Sequence, residues 1–176
     1  EMETAKWKEV QEKIYLPRKE GTKLLEQFEG YFELDNVTIE KYDENDWPIR
    51  PEALKTKKAK ETQINKQADV VMLLHLMGNE FDDETIKENY AYYEKRTLHG
   101  SSLSPSIYSV MGLKVGDDSK AYRYLRRAAF IDLLNMQGNT REGIHAANTG
   151  GVWQTIVFGF AGVSQREDGK LRVCPN

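Results

Sequence analysis

Two loops concentrate the residue types that bind oxyanions. One is Arg96-Thr97-Leu98-His99-Gly100-Ser101-Ser102, the other Gly143-Ile144-His145-Ala146-Ala147-Asn148-Thr149-Gly150-Gly151. Both are polar, rich in small residues, and precede a helical run. A loop of Gly, Ser and Thr running into a helix start presents backbone N–H groups that lack intrahelical partners. Arg96 can add a planar two-pronged donor, and a histidine can add another. Two such loops can surround one tetrahedral oxyanion such as phosphate. From pattern alone, Arg96, His99, Ser101 and Ser102 read equally as a cradle and as ordinary helix capping, because no fixed motif decides between them. Ser104, directly before Pro105, reads as a capping hydroxyl ahead of a proline at the first helical position.

A second group is Lys66-Gln67-Ala68-Asp69. Lys66 and Gln67 at the mouth of an apolar helix can hydrogen-bond sugar hydroxyls, with Asp69 orienting them. Asp69 reads also as a helix cap, and standing alone, solvated helix-start residues are the safer reading. His75 lies within an apolar run and reads as a core histidine rather than a ligand. Hydrolysis of a glycoside usually needs two carboxyl groups at a set separation. Glu80, Glu84, Glu88, Glu94 and Glu142 are available, but no setting singles one out. Glu84 and Glu88 are spaced as the wet face of a helix. The chemistry legible here is an oxyanion cradle more than an acid/base pair.

Several function classes are disfavoured by composition. The chain has 176 residues, 30 % of them charged, and a net charge of -3. A mildly acidic balance disfavours a nucleic-acid partner. No stretch approaches the roughly 20 apolar residues that span a bilayer, and no charged-then-apolar leader is visible. The single cysteine, Cys174, excludes an intrachain disulfide and a cysteine zinc site. A reducing cytoplasm fits that usage. Glu1 and the strand-like run ending at Asn176 read as cuts inside a longer protein.

Helices must position these loops. Trp7, Val10, Ile14 and Tyr15 follow a helical stripe over residues 5 to 15, which Pro17 stops. Residues 20 to 50 form a connector with scattered apolar anchors, a length often associated with function. The lysine-rich run 55 to 60 reads as a solvated face. Ala68 to Met77 is almost wholly apolar and predicts a helix buried all round, stopping at Gly78-Asn79. Asp82 to Tyr93 predicts the next helix. A third covers Ile107, Val110, Met111 and Val115 and stops at Gly116. Asp117-Asp118 caps a fourth with Ala121, Tyr122, Leu125, Ala128 and Ala129 on one face. A fifth, about Val152 to Phe160, follows Gly150-Gly151. Asp168-Gly169 between two short extended runs is a hairpin signal. The fold class is all-α helical hairpins with the start of a β element, and no repeat period is present.

Several motifs occur in a fixed order: Lys66-Gln67-Ala68-Asp69-Val70, then the run Tyr92-Tyr93-Glu94-Lys95-Arg96-Thr97-Leu98-His99-Gly100-Ser101-Ser102-Leu103-Ser104. Gly138-Asn139-Thr140-Arg141-Glu142-Gly143-Ile144-His145-Ala146-Ala147 and Gly150-Gly151-Val152-Trp153 follow. This sequence resembles family 65 of the glycoside hydrolases, the family of maltose, kojibiose, nigerose and trehalose phosphorylases. The resemblance is strong from about Lys66 to Val163 and looser before it. It implies an (α/α)6 catalytic barrel, with residues 1–65 as an N-terminal helix and connector and 66–163 as its C-terminal helices. Residues 164–176 then begin a C-terminal β domain.

The resemblance also implies a reaction. Bound phosphate attacks the anomeric carbon of an α-glucoside while a glutamic acid protonates the leaving sugar, giving β-glucose 1-phosphate with inversion. Lys66 and Gln67 carry over as glucosyl contacts, and Ser101, Ser102 and His145 as phosphate ligands, with Gly151 assisting through its backbone. Arg96 and His99 lie inside the motif as site support. No metal or cofactor is implied, only inorganic phosphate as co-substrate. The general acid is expected upstream, so no catalytic residue is assigned within this chain, which is expected to be inactive alone. The rest of the catalytic domain is its expected partner, and a homodimer is possible for the parent. The alternatives are a related α-glucoside hydrolase and a non-catalytic carbohydrate- or phosphate-binding helical module.

Overall fold

The computed structural model describes residues 2–45, 47–166 and 168–175. Helix α1 (Met2–Lys13) carries an exposed Glu9–Lys13 ion pair one turn apart. Its apolar stripe is present but unburied: Trp7, Val10, Ile14 and Tyr15 are all exposed. The connector that follows is irregular, as expected, yet tightly held. Buried Asn89 accepts from Leu25 N–H (2.8 Å) and donates to the Lys23 carbonyl (2.9 Å). Tyr31 is buried against Tyr93, and its hydroxyl donates to the Gln63 carbonyl. Backbone groups that would otherwise be orphaned are satisfied this way without regular structure.

Five further helices follow among the described residues. They are α2 (Asp69–Leu76), α3 (Asp83–Glu94), α4 (Ser104–Val115), α5 (Asp118–Phe130) and α6 (Ala146–Gln154). α3 starts where Asp82 accepts from Thr85 N–H at 2.7 Å. α5 starts where Asp117 accepts from Lys120 N–H. Gly116, at φ 81°, ends α4 as a left-handed stop. α4 is the central helix, touching α2, α3, α5 and α6. It crosses α5 at Gly112, where an added Cβ would lie 3.1 Å from both Ala121 Cβ and the Tyr90 hydroxyl. The core between the helices is rich in tyrosine: Tyr31, Tyr90, Tyr93, Tyr108 and Tyr124 are all buried.

Four expectations are corrected. α2 is not buried all round: Val70, Val71 and Leu74 face the core, while Leu76 and Met77 are exposed. His75 on that helix is half-buried, and burial lowers its pKa, aided by nearby Lys114. Ser104 does not cap α4, since Leu103 holds the cap position and the Ser104 hydroxyl bonds to His99 instead. The buried face of α5 is Ala121, Tyr124, Arg127 and Ala128, and Tyr122 is exposed. The helix is turned this way because Tyr124 and Arg127 find partners inside: Glu94 and His99 for the first, the Trp47 ring for the second. Finally, the last helix begins at Ala146 rather than Val152, so Gly150 and Gly151 lie inside it. It then widens into a π-helical turn, Thr155–Phe160.

A hairpin closes the described chain. Strands β1 (Val163–Gln165) and β2 (Leu171–Val173) pair antiparallel with Val163 opposite Val173. Gly169, at φ 79°, sits in the expected turn. The molecule is thus helix-dominated with a two-stranded element at its end.

Candidate functional site

The segment before α2 and the segment after α3 run side by side. Asn65 N–H donates to the Arg96 carbonyl (2.7 Å), Leu98 N–H to the Asn65 carbonyl (2.9 Å), and Gly100 N–H to the Lys66 carbonyl (2.9 Å). This short parallel pairing sets Lys66-Gln67 beside Gly100-Ser101, although they are far apart in sequence. The approach at Gly100 is close: a Cβ on it would meet Lys66 Cγ at 3.3 Å. Gln67 and Ser101 then share one shallow depression with Asp69, Met72, Ser104 and Ile107. The Gln67 amide donates to Asp69 (2.9 Å), whose other oxygen accepts from Gln27 (2.6 Å). Lys66 and Gln67 are exposed, and Ser101 and Ser102 are half-buried, so all four are accessible to a ligand.

His145 is held from a different direction. Its backbone N–H donates to Asp132 Oδ2 (2.8 Å), and its ring Nδ1 lies 2.5 Å from Asp132 Oδ1. One carboxylate therefore fixes both the main chain and the ring. With Nδ1–H donating to a carboxylate, the far nitrogen Nε2 is the one left for a ligand; Asn139 Nδ2 lies 3.5 Å from it. These hydrogen bonds, the ring's first, hold the Asp132 carboxyl below its usual range. His145 is the N-cap of α6, so the open amides of that helix's first turn lie beside it.

Gly151 plays a different part from the one its loop-like sequence suggests. It lies within α6, past the first turn whose amides are open, and a Cβ there would meet Ser106 Oγ at 2.5 Å. It is where α6 packs against the first turn of α4. That contact brings the helix capped by His145 against the helix preceded by Ser101 and Ser102.

Arg96 and His99 are buried behind this surface. The Arg96 guanidinium donates to Asn36 Oδ1 (2.6 and 3.2 Å) and the Tyr92 carbonyl (2.7 Å), and lies over the Tyr92 ring. Its fork thus ties the connector to α3. His99 has a left-handed backbone (φ 51°), uncommon for a residue with a side chain. Its ring lies between Tyr108 and Tyr124, with Nδ1 2.8 Å from Ser104 Oγ and Nε2 3.2 Å from the Tyr124 hydroxyl. Burial holds its pKa well below the ordinary histidine value, with Arg127 adding to the effect.

A roomier cavity of about 460 Å³ lies elsewhere, between the connector and the α3–α5 pair, and another of about 480 Å³ lies within the connector itself. The walls of the first include Glu94, Lys120, Tyr124 and Arg127 and none of the sugar or phosphate candidates. The shallow depression at Gln67 and Ser101 therefore carries the argument on chemistry, not on size.

Comparison with known proteins decides the family. Residues 1–154 match the glycosyl hydrolase family 65 central catalytic domain. The chain belongs to glycoside hydrolase family 65. It is 56 % identical over 171 residues to a kojibiose phosphorylase of Thermoanaerobacter brockii, covering 97 % of this chain and 22 % of that enzyme. It is 36 % identical to a 1,2-alpha-glucosylglycerol phosphorylase of Bacillus selenitireducens, covering 94 % of this chain and 23 % of that protein. A solved structure titled as a putative kojibiose phosphorylase from the human microbiome superposes with a TM-score of 0.79 at 35 % identity. That match covers 98 % of this chain and 24 % of the solved one. The chain thus spans between a fifth and a quarter of these relatives.

Sequence reasoning missed Asp132, Tyr124 and Asn139. Asp132 lies well before His145, joined to it by a turn with no helical or strand period, so no spacing rule points to the pair. Tyr124 was hidden by assigning the wrong face to α5.

Proposed function

We propose that this chain is part of an inverting α-glucoside phosphorylase, a protein that uses phosphate to cleave an α-linked glucose disaccharide into β-glucose 1-phosphate and the acceptor sugar. In this reading Lys66 and Gln67 contact the glucosyl unit, and Ser101, Ser102 and His145 hold phosphate. The general acid and the acceptor subsite belong to other parts of the protein, so this segment alone is inactive. The helices pack as part of an (α/α)6 barrel, with residues 1–65 as its helix and connector, 66–163 as its later helices and 164–176 opening a β domain. Phosphate is the only co-substrate, and the enzyme works in the cytoplasm, with a homodimer as its proposed assembly.

The observation that carries the reading is the depression shared by Gln67 and Ser101, beside a turn whose small polar residues suit an oxyanion. A sugar-binding amide and a phosphate-binding hydroxyl on one wall are what in-place attack by phosphate on a bound glucosyl unit requires. Phosphate as nucleophile removes the need for a protein base, which agrees with a site rich in donors. The relationship to a kojibiose phosphorylase makes kojibiose the first substrate to test.

The test is glucose 1-phosphate release by the full-length protein from kojibiose, nigerose, maltose and trehalose, with and without phosphate. Phosphate-dependent release is expected. Free glucose formed without phosphate would make the protein a hydrolase and remove the roles given to Ser101, Ser102 and His145.

A further inference from the structure

Behind the Ser101–Ser102 turn, four buried groups form one hydrogen-bonded line. Ser104 Oγ lies 2.8 Å from His99 Nδ1, and His99 Nε2 lies 3.2 Å from the Tyr124 hydroxyl. The Tyr124 hydroxyl donates to Glu94 Oε1 at 3.1 Å. Glu94 is 4 % exposed, and its other oxygen meets Lys120 Nζ at 3.0 Å. The line runs from the wall of the shallow depression, through the α4–α5 layer, to the wall of the 460 Å³ cavity.

The direction of every bond follows from the anionic end. A carboxylate paired with a lysine only accepts. Tyr124 must therefore spend its single hydrogen on Glu94, which leaves its oxygen as an acceptor toward His99. His99 must then donate from Nε2. That fixes Nδ1 as an acceptor, and Ser104 must donate to it. The reverse order would spend the Tyr124 hydrogen on His99 and leave two acceptor oxygens, of Tyr124 and Glu94, facing each other with no hydrogen between them. A doubly protonated ring would place an N–H against Ser104 and a charge in a fully buried site, which burial opposes.

We propose that Glu94, through Tyr124, is the remote positioning residue that sets the Nε2–H tautomer of His99 and so anchors Ser104 and the phosphate-binding turn. The mechanical link is short. Ser104 N–H donates to the Ser101 carbonyl at 3.2 Å, closing the turn that holds Ser101 and Ser102. His99 enters the same turn with a left-handed backbone, a conformation that persists only when its surroundings hold it. A ring gripped at both nitrogens supplies that hold. None of these four groups needs to touch phosphate, so His99 is a positioning residue rather than a ligand.

The role given to the turn rests on the phosphorylase reading, but the bond order does not. Two measurements separate them. In histidine-labelled full-length protein, with His99→Asn supplying the assignment, 15N spectra should show His99 protonated at Nε2 and bare at Nδ1. A ring protonated at Nδ1, alone or at both nitrogens, overturns the proposal whatever the protein's activity. Tyr124→Phe keeps the ring packing and removes both links. It should raise the KM for phosphate about tenfold, the scale of one lost hydrogen bond, with the KM for disaccharide changing less than about twofold. Glu94→Gln should lose the single tautomer and shift the phosphate KM in the same sense. Phosphate and disaccharide KM values that stay fixed or rise together in Tyr124→Phe overturn the link to the turn. An unchanged tautomer in Glu94→Gln overturns the assignment of the anchor. Should Tyr124→Phe not fold, the wild-type tautomer still decides. A full-length protein that needs no phosphate refutes the phosphorylase reading and leaves the tautomer result standing.

Discussion

Gly150 and Gly151 are neighbours on α6 and offer a matched pair of perturbations. Both are helical, so replacing either with alanine lowers the entropy of the unfolded chain and gains about 0.4–1 kcal/mol where space allows. At Gly150 nothing lies within 4 Å of an added Cβ. At Gly151 the Cβ meets Ser106 Oγ at 2.5 Å and Ser106 Cβ at 3.0 Å. Ser106 is buried, and its hydroxyl donates to the Leu103 carbonyl at 2.9 Å in the first turn of α4. Relief requires either rotating Ser106, at about 0.5–1.5 kcal/mol for the lost bond, or separating α4 from α6, at about 1–3 kcal/mol for overpacking. The helix-propensity gain is common to both variants and cancels. Gly150→Ala should therefore be more stable than Gly151→Ala by about 0.5–3 kcal/mol, with the former above wild type. Hydrogen exchange followed by mass spectrometry over residues 104–115 and 146–154 of the full-length protein reads the local opening free energy. Protection that rises equally in both variants would refute the close α4–α6 packing on which the juxtaposition of the two loops depends.

Asp132→Asn replaces a carboxylate that accepts twice from His145 with an amide that cannot do so at both oxygens. It should raise the KM for phosphate well above any change in the disaccharide KM, and steady-state kinetics with each substrate varied in turn checks this. Leu74→Ala, at a fully buried position on α2, should cost about 2–5 kcal/mol, measured as lost exchange protection in α2 to α4. His99 is buried, and its folded pKa is depressed. Its contribution is therefore complete above the unfolded histidine value of about 6.5 and is lost as pH falls toward and through the folded value, at about 1.4 kcal/mol per pH unit. Protection of α4 should fall on acidification in wild type and fall less steeply in His99→Asn. The Asp82 carboxyl, held below its usual range by the Thr85 N–H and then Lys23, should keep α3 capped until the pH drops through that lowered value. Circular dichroism of Asp82→Ala against pH should lack that transition.

The starts of α3 and α5 and the stop of α4 were legible because they depend on local chemistry. Asp82 and Asp117 cap where their side chains reach the third amide, and Gly116 adopts a conformation that other residues avoid. What was illegible is what depends on distant partners. Tyr122 and Tyr124 are the same residue type; Tyr124 shares the face of Ala121 and Ala128, and inside it meets the buried Glu94 and His99. The stripe of α1 has the right period, but periodicity does not say whether a covering surface lies within the same chain. Gly150-Gly151 looked like a loop because glycine weakens helices. Inside α6 the second glycine is explained by the nearness of Ser106 rather than by backbone freedom. The pairing of Lys66 with Gly100 depends on a parallel contact across more than a full helix, which no local pattern encodes.

The disposition of acidic side chains bears on the choice between phosphorolysis and hydrolysis. A hydrolase of this stereochemistry needs a carboxylate free to take a proton from water beside the anomeric carbon. Glu94 is the closest acid in sequence to the Ser101–Ser102 turn, but both its oxygens are engaged, by Tyr124 and Lys120, on the far side of the α4–α5 layer. Asp132 touches a phosphate candidate directly, but gives one oxygen to the His145 backbone and the other to its ring. A carboxylate used in this way holds the His145 ring and main chain in place, with both its oxygens already accepting. Asp69 beside Gln67 is likewise spent, accepting from Gln67 and Gln27. Glu94, Asp132 and Asp69 are thus engaged in holding neighbouring groups, which agrees with the proposed use of phosphate as the nucleophile.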